Sequence, residues 1–215
     1  MRFANRVEAG RALAEQLQAL AGREDVVVLG LPRGGVPVAA EVARALAAPL
    51  DVLLVRKLGA PGQPELAIGA IAEEGIRLVN EDVLLSLGLS LDTIDRVVAD
   101  ERPELERRLR AYRGDRAAVP VAGRTVILVD DGLATGASMD AACRAVAARG
   151  AARLIVAVPV AAREACDRLR AVAHEVVAVA TPSPFWAVGA WYTDFAQTTD
   201  EQVVEALAAA AQPAR

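Results

Sequence analysis

The chain has 215 residues, a net charge of −4 and a sequence pI near 5.2, a length that suits one α/β domain with a full core. That acidic balance excludes broad nucleic-acid or acidic-membrane binding, because no basic field of the required extent exists. The opening M-R-F-A-N-R-V-E lacks an apolar signal core and no apolar run of about 18 residues could span a bilayer, so a cytoplasmic protein is expected.

Residues 5–21 place Val7, Leu13, Leu17 and Leu20 at near-helical spacing behind Asn5, a potential cap, which predicts an amphipathic helix covering the sheet. Residues 26–29 form a short apolar strand, followed by G-L-P-R-G-G-V-P and a helical run to about Leu46. The glycine separation from Gly30 to Gly35 matches a nucleotide P-loop. Val36 and Pro37, however, stand where the lysine and hydroxyl residue would hold phosphates and magnesium, which excludes that motif. Arg33, Gly34 and Gly35 still offer free amides and a guanidinium at a strand-to-helix turn, as an anion site or as a plain turn with a solvated arginine.

A second strand is expected at 51–55, ending in Arg56 and Lys57. Of 24 cationic residues Lys57 is the single lysine, which weakly suggests selection for a compact ammonium. The polar L-G-A-P-G-Q-P-E then reads as an exposed, mobile lid, and 66–71 with 76–79 as a β-hairpin whose turn holds Glu73 and Glu74 as solvated residues.

Residues 80–115 form a helical insertion with Asn80 and Ser90 as caps. Its second helix is densely charged. Arg107, Arg108, Arg110 and Arg113 could touch phosphate or RNA, but interleaved Glu101, Glu104 and Glu106 favour a solvated or subunit-contacting face.

Residues 126–129 are a buried parallel strand running into Asp130 and Asp131, and Thr135, Gly136, Ala137 and Ser138 then lead into a helix. A diacid beside an anion loop would repel bare phosphate, so the ligand should present hydroxyls or a divalent cation on one side and phosphate on the other. A phosphorylated sugar with bound magnesium fits.

Beyond it the pattern predicts a helix at 137–149, a strand at 154–158, a helix at 161–172 and a strand at 175–179. Cys143 and Cys166 fall in helices without metal-ligand spacing, and His174, the only histidine, has no triad partner, so all three are expected to be structural or, for His174, exposed. Five of the seven aromatic residues cluster at Phe185, Trp186, Trp191, Tyr192 and Phe195, followed by a helix at about 200–211. These rings could sandwich a planar heterocycle or fill the core of a C-terminal flap.

The run V-I-L-V-D-D-G-L-A-T-G-A-S-M resembles the phosphoribosyl pyrophosphate signature of type I phosphoribosyltransferases. R-G-G resembles that family's pyrophosphate loop, and R-K-L-G-A-P-G resembles the segment introducing its flexible catalytic loop; the likeness covers about 26–179. It implies an open, mostly parallel five-stranded sheet flanked by helices, with a β-hairpin and flexible loop, the helical insertion and a C-terminal hood over 181–215, all in one domain. The resemblance also implies site roles. Asp130 and Asp131 would bind the ribose hydroxyls directly or through magnesium-bound water, and Thr135, Gly136, Ala137 and Ser138 would cradle the 5′-phosphate, with Leu133 and Ala134 also in the phosphoribosyl pyrophosphate site. Arg33, Gly34, Gly35, Arg56 and Lys57 would hold pyrophosphate, with Lys57, Arg33 and the diacid as the catalytic set; the resemblance matches the aromatic tail less, and there the ring cluster itself offers Phe185, Trp186 and Trp191 as acceptor contacts. Family members are commonly dimers, so a homodimer is expected.

Two departures stand out. Gly132 replaces a usual branched residue and should loosen the loop; Ala134 replaces the acid of 6-oxopurine members, which disfavours hypoxanthine and guanine. Two readings compete: transfer of phosphoribosyl to a nitrogenous base, favoured by the retained leaving-group residues, and a sensor of the sugar phosphate without turnover.

Overall fold

The computed structural model describes residues 2–210, apart from the side chains of Pro64 and Glu65; the expected end of the last helix at residue 211, and the end of the hood at 211–215, lie outside the described residues. Helix α1 (Arg6–Gln16) begins at Asn5, whose side chain accepts from the Val7 and Glu8 amides, and a 3₁₀ turn (Gln18–Leu20) follows. Strand β1 (Val26–Gly30), α2 (Gly35–Leu46) and β2 (Leu50–Val52) form the first parallel unit. Strand β6 (Thr125–Val129), α5 (Ala137–Ala148), β7 (Arg153–Val160), α6 (Arg163–Leu169) and β8 (Glu175–Ala180) form the second.

All five strands are parallel in the order β2-β1-β6-β7-β8. Val26 and Val28 join Ile127 and Val129 on the sheet face covered by α1, α2 and later helices, while Val27 and Leu29 join Val126 and Leu128 on the face covered by α5 and α6. Burial on both faces explains the unbroken apolar runs. Order reverses between β1 and β6, and that reversal opens a crevice at their carboxyl ends.

Between the two units the chain departs from expectation. Arg56 and Lys57 do not end a parallel strand; they lie within β3 (Val55–Ala60), which pairs antiparallel with β4 (Gln63–Ala72) and, through it, β5 (Arg77–Val79). The segment expected to be an irregular lid is instead the hairpin tip itself, with register shifts around Gly59. Helix α3 (Glu81–Leu87) is capped by Asn80, and α4 (Leu91–Arg113) follows Ser90, whose side chain makes no capping hydrogen bond. Ile94, Val98, Leu105 and Tyr112 bury one stripe of α4 against β3, β4 and α7 (Asp200–Ala210).

Glu73 and Arg113 are not the solvated residues anticipated. Glu73 is 3% exposed and Arg113 pairs with it at 2.6 Å and with Asp51 of β2 at 3.1 Å; Arg149, at the end of α5, approaches Glu73 at 3.5 Å. Asp51 also accepts the Val119 amide at 3.0 Å. The carboxylates lie where only cations could offset their desolvation, so the hairpin, α4, α5 and the sheet edge are tied together at this point. Among the described residues no helix is long and apolar enough to cross a membrane.

Replacing Arg113 by Met removes the shared cation from two buried carboxylates and is expected to destabilise the fold by about 3–5 kcal/mol in urea titration. Arg107→Ala, which removes an exposed pair with Glu104, should leave the midpoint unchanged.

Candidate functional site

At the crevice, β6 delivers Asp130 and Asp131 while β1 delivers the R-G-G turn, and the two meet through glycine. A Cβ on Gly34 would stand 2.0 Å from Asp131 Oδ2, and one on Gly35 would stand 2.6 Å from the Val129 carbonyl and 2.8 Å from Asp130 Cα. Only a residue without a side chain lets this turn lie against the diacid. Arg33 rises from the same turn, its NH1 3.7 Å from Asp200 Oδ1 at the start of α7. Tyr112 donates to the same oxygen at 2.6 Å, and burial together with that carboxylate pushes its hydroxyl up to about 12.

The diacid is poorly solvated. Burial raises Asp130 well above the usual carboxylate range, the Asp131 charge adding to it; burial also raises Asp131, with Arg6 pulling the other way. Asp130 accepts the Asp131 amide at 2.8 Å, and Arg6 Nε donates to Asp131 Oδ2 at 2.8 Å. Tyr192 donates its hydroxyl to the Asp131 carbonyl at 2.6 Å, so the second acid is held through both side chain and backbone.

The loop that follows is built in two parts. Leu133 is buried, its amide bonded to the Val160 carbonyl at 2.9 Å and its own carbonyl accepting the Ala162 amide at 2.8 Å, which pins the loop to the end of β7. Ala134, Thr135, Ala137 and Ser138 are exposed, and Gly136 turns at φ 75° to begin α5. The Ala137 amide donates to Thr135 Oγ1 at 3.4 Å, and the loop leads into a helix N-terminus, where partial positive charge favours an anion. Gly132 does not loosen this loop: Val188 of the C-terminal segment occupies the space, 2.5 Å from where a Cβ would stand. Among the described residues no three His, Cys, Asp or Glu side chains converge into a metal cage.

Other expected residues lie farther out. Arg56 is engaged by Glu101 and Glu104 of α4, and Lys57 is exposed on β3 opposite Ala70. In the aromatic segment Phe185 packs on the core and Trp186 is 81% exposed. Trp191 is half-buried, its Nε1 enclosed without a hydrogen-bond partner. Tyr192 is buried beside Phe3 and Phe195. A groove of about 1730 Å³ runs between α1–α2 and α7; it reaches Arg6 and Asp194 but none of residues 130–138.

Arg6 is the residue that the sequence reading missed. Its one local signal is a cation in the first turn of a helix, where the dipole disfavours it and a remote acid must compensate.

The profile of the phosphoribosyl transferase domain matches residues 3–192. Two Mycobacterium tuberculosis proteins, from strains H37Rv and CDC 1551 and the former named "Putative phosphoribosyl transferase Rv0571c", are 50% identical over 205 residues, 95% of this chain and 46% of theirs. The chain thus spans about half the length of these curated relatives. The crystal structure of TT1426 from Thermus thermophilus is 50% identical, with a TM-score of 0.89 covering 99% of this chain and 100% of that one. By the profile match, by these relatives and by its parallel sheet with the crevice at the β1–β6 reversal, the chain belongs to the phosphoribosyl transferase domain family.

Proposed function

We propose that this chain transfers the phosphoribosyl group of magnesium-bound phosphoribosyl pyrophosphate to a nitrogenous base. The observation that supports this reading is the direct apposition of the R-G-G turn and the diacid, with the loop at 134–138 running on from the diacid into the N-terminus of α5. Asp130 and Asp131 accept the ribose hydroxyls, and the amides and hydroxyls of Thr135, Gly136, Ala137 and Ser138 take the 5′-phosphate. The Gly34 and Gly35 turn with Arg33 takes pyrophosphate, with Lys57 adding positive charge from β3.

Two adjacent carboxylates suit magnesium, which prefers one or two carboxylates plus substrate oxygens and water. When bound, the ion would offset pyrophosphate charge. In the reaction the C1′–oxygen bond to pyrophosphate breaks, C1′ passes through an oxocarbenium-like state, and a base nitrogen forms the new C1′–N bond while its proton leaves to solvent. The residues named here orient the ribose and stabilise the departing anion. With Ala134 exposed where an acid would serve a 6-oxopurine, acceptors that need no such proton handling are favoured.

Purified protein mixed with magnesium, phosphoribosyl pyrophosphate and a panel of bases should release pyrophosphate with at least one base. Tight binding without release for any acceptor would favour the sensing role instead. Asp131→Asn should weaken sugar-phosphate binding by about 10- to 100-fold in calorimetry, the effect of losing a charged acceptor. Lys57→Ala should lower kcat on the order of 10²-fold with a smaller change in binding. Because Lys57 is the only lysine, amine labelling followed by mass spectrometry offers an independent check: phosphoribosyl pyrophosphate should slow modification at that position.

A further inference from the structure

The Arg6 guanidinium makes three contacts at once. Its Nε donates to Asp131 Oδ2 at 2.8 Å, NH1 donates to the Ala196 carbonyl at 2.7 Å, and the plane lies 4.1 Å from the centre of the Phe195 ring. Only 12% of the Arg6 side chain and 15% of the Asp131 side chain is exposed. A planar fork can bond a carboxylate and a carbonyl while stacking on an aromatic face; an ammonium cannot do all three. Gly34 completes the arrangement, since a Cβ there would also press to 3.2 Å from Arg6 Nε.

A purely architectural role for Arg6 has little to explain. The N-terminal segment is already fastened by the Phe3 amide to the Trp191 carbonyl at 2.9 Å, by the Thr193 amide to the Phe3 carbonyl at 2.8 Å and by the packing of α1 on α2. What Arg6 adds is at Asp131. It occupies one carboxylate oxygen and fixes the rotation of the group, and it supplies the cationic side chain in contact with a buried diacid.

We propose that Arg6 is a positioning residue for ribose recognition: by holding Asp131 Oδ2 it keeps the carboxylate turned so that the other oxygen meets a ribose hydroxyl. The inference rests on the diacid being the ribose-diol site. Arg6 then sets the preference for ribose over deoxyribose, and the 5′-phosphate subsite at 135–138 works without it. Tyr192 fixes the Asp131 backbone but not the rotation of its carboxylate, so it cannot substitute.

The test is calorimetric binding of ribose 5-phosphate and 2-deoxyribose 5-phosphate, each with magnesium, to the full chain and to Arg6→Ala and Arg6→Lys. Wild-type protein should prefer the ribose compound by about 10-fold or more, as expected for a hydroxyl bonded to a charged group. Arg6→Ala should bring that preference to about threefold or less while leaving deoxyribose 5-phosphate affinity within about twofold, and Arg6→Lys should recover part of it. A wild-type preference retained in Arg6→Ala, or equal loss of both ligands in both variants at unchanged circular dichroism, overturns the proposal alone. Wild-type protein that does not distinguish the two sugars overturns the diol reading of the diacid and this inference with it.

Discussion

Two adjacent carboxylates at the buried end of β6 are the constraint around which the rest of the site is arranged. A carboxylate withdrawn from water is unfavourable unless a cation or several hydrogen bonds replace the solvent, and adjacent like charges add to the difficulty. The fold meets this with one internal amide bond at Asp130 and one guanidinium at Asp131, while a tyrosine hydroxyl holds the Asp131 backbone carbonyl. Two of those three partners come from the ends of the chain. Phe3 and the segment around Tyr192 pair with each other, and together the two segments make one wall beside Asp131.

The local part of this arrangement was legible in the sequence. A strand, a diacid, a small-residue loop and a helix are contiguous, their periodicities are unambiguous, and the glycines of R-G-G announce a close approach before its partner is known. The wall was not legible. Arg6 and Asp131 are separated by 125 positions, and nothing at either position encodes the other beyond an arginine placed against a helix dipole. The same limit applies to Glu73. In sequence it is a turn residue next to another glutamate; in the fold it is buried because Arg113, forty positions on, and Arg149 at the end of α5 converge on it.

The misread hairpin has a different cause. Gly59, Pro61, Gly62 and Pro64 break both helical and strand periodicity, which is why the stretch reads as irregular. Strand pairing tolerates them because Pro61 and Gly62 form the reversal itself and the register shift at Gly59 absorbs the mismatch. The error matters for the site, since it moves Arg56 and Lys57 from a fixed strand end onto a two-faced ribbon. On that ribbon alternate residues diverge: Arg56 is held by α4 acids, and Lys57 is exposed. The two cations therefore cannot be treated as one anion-binding pair.

The aromatic segment can be divided by the same physical test. Tyr192 spends its hydroxyl on the Asp131 carbonyl, and Phe195 lies under the Arg6 guanidinium, so both rings are committed to holding the diacid. Phe185 is committed to packing. Val188, from the same segment, fills the gap left by Gly132, which turns an apparent loosening of the loop after the diacid into a second fastening between loop and hood. Substituting a branched residue for Gly132 would have to displace Val188. The glycine and the hood valine thus belong to one packing solution, and the loop's shape depends on a segment more than fifty residues downstream.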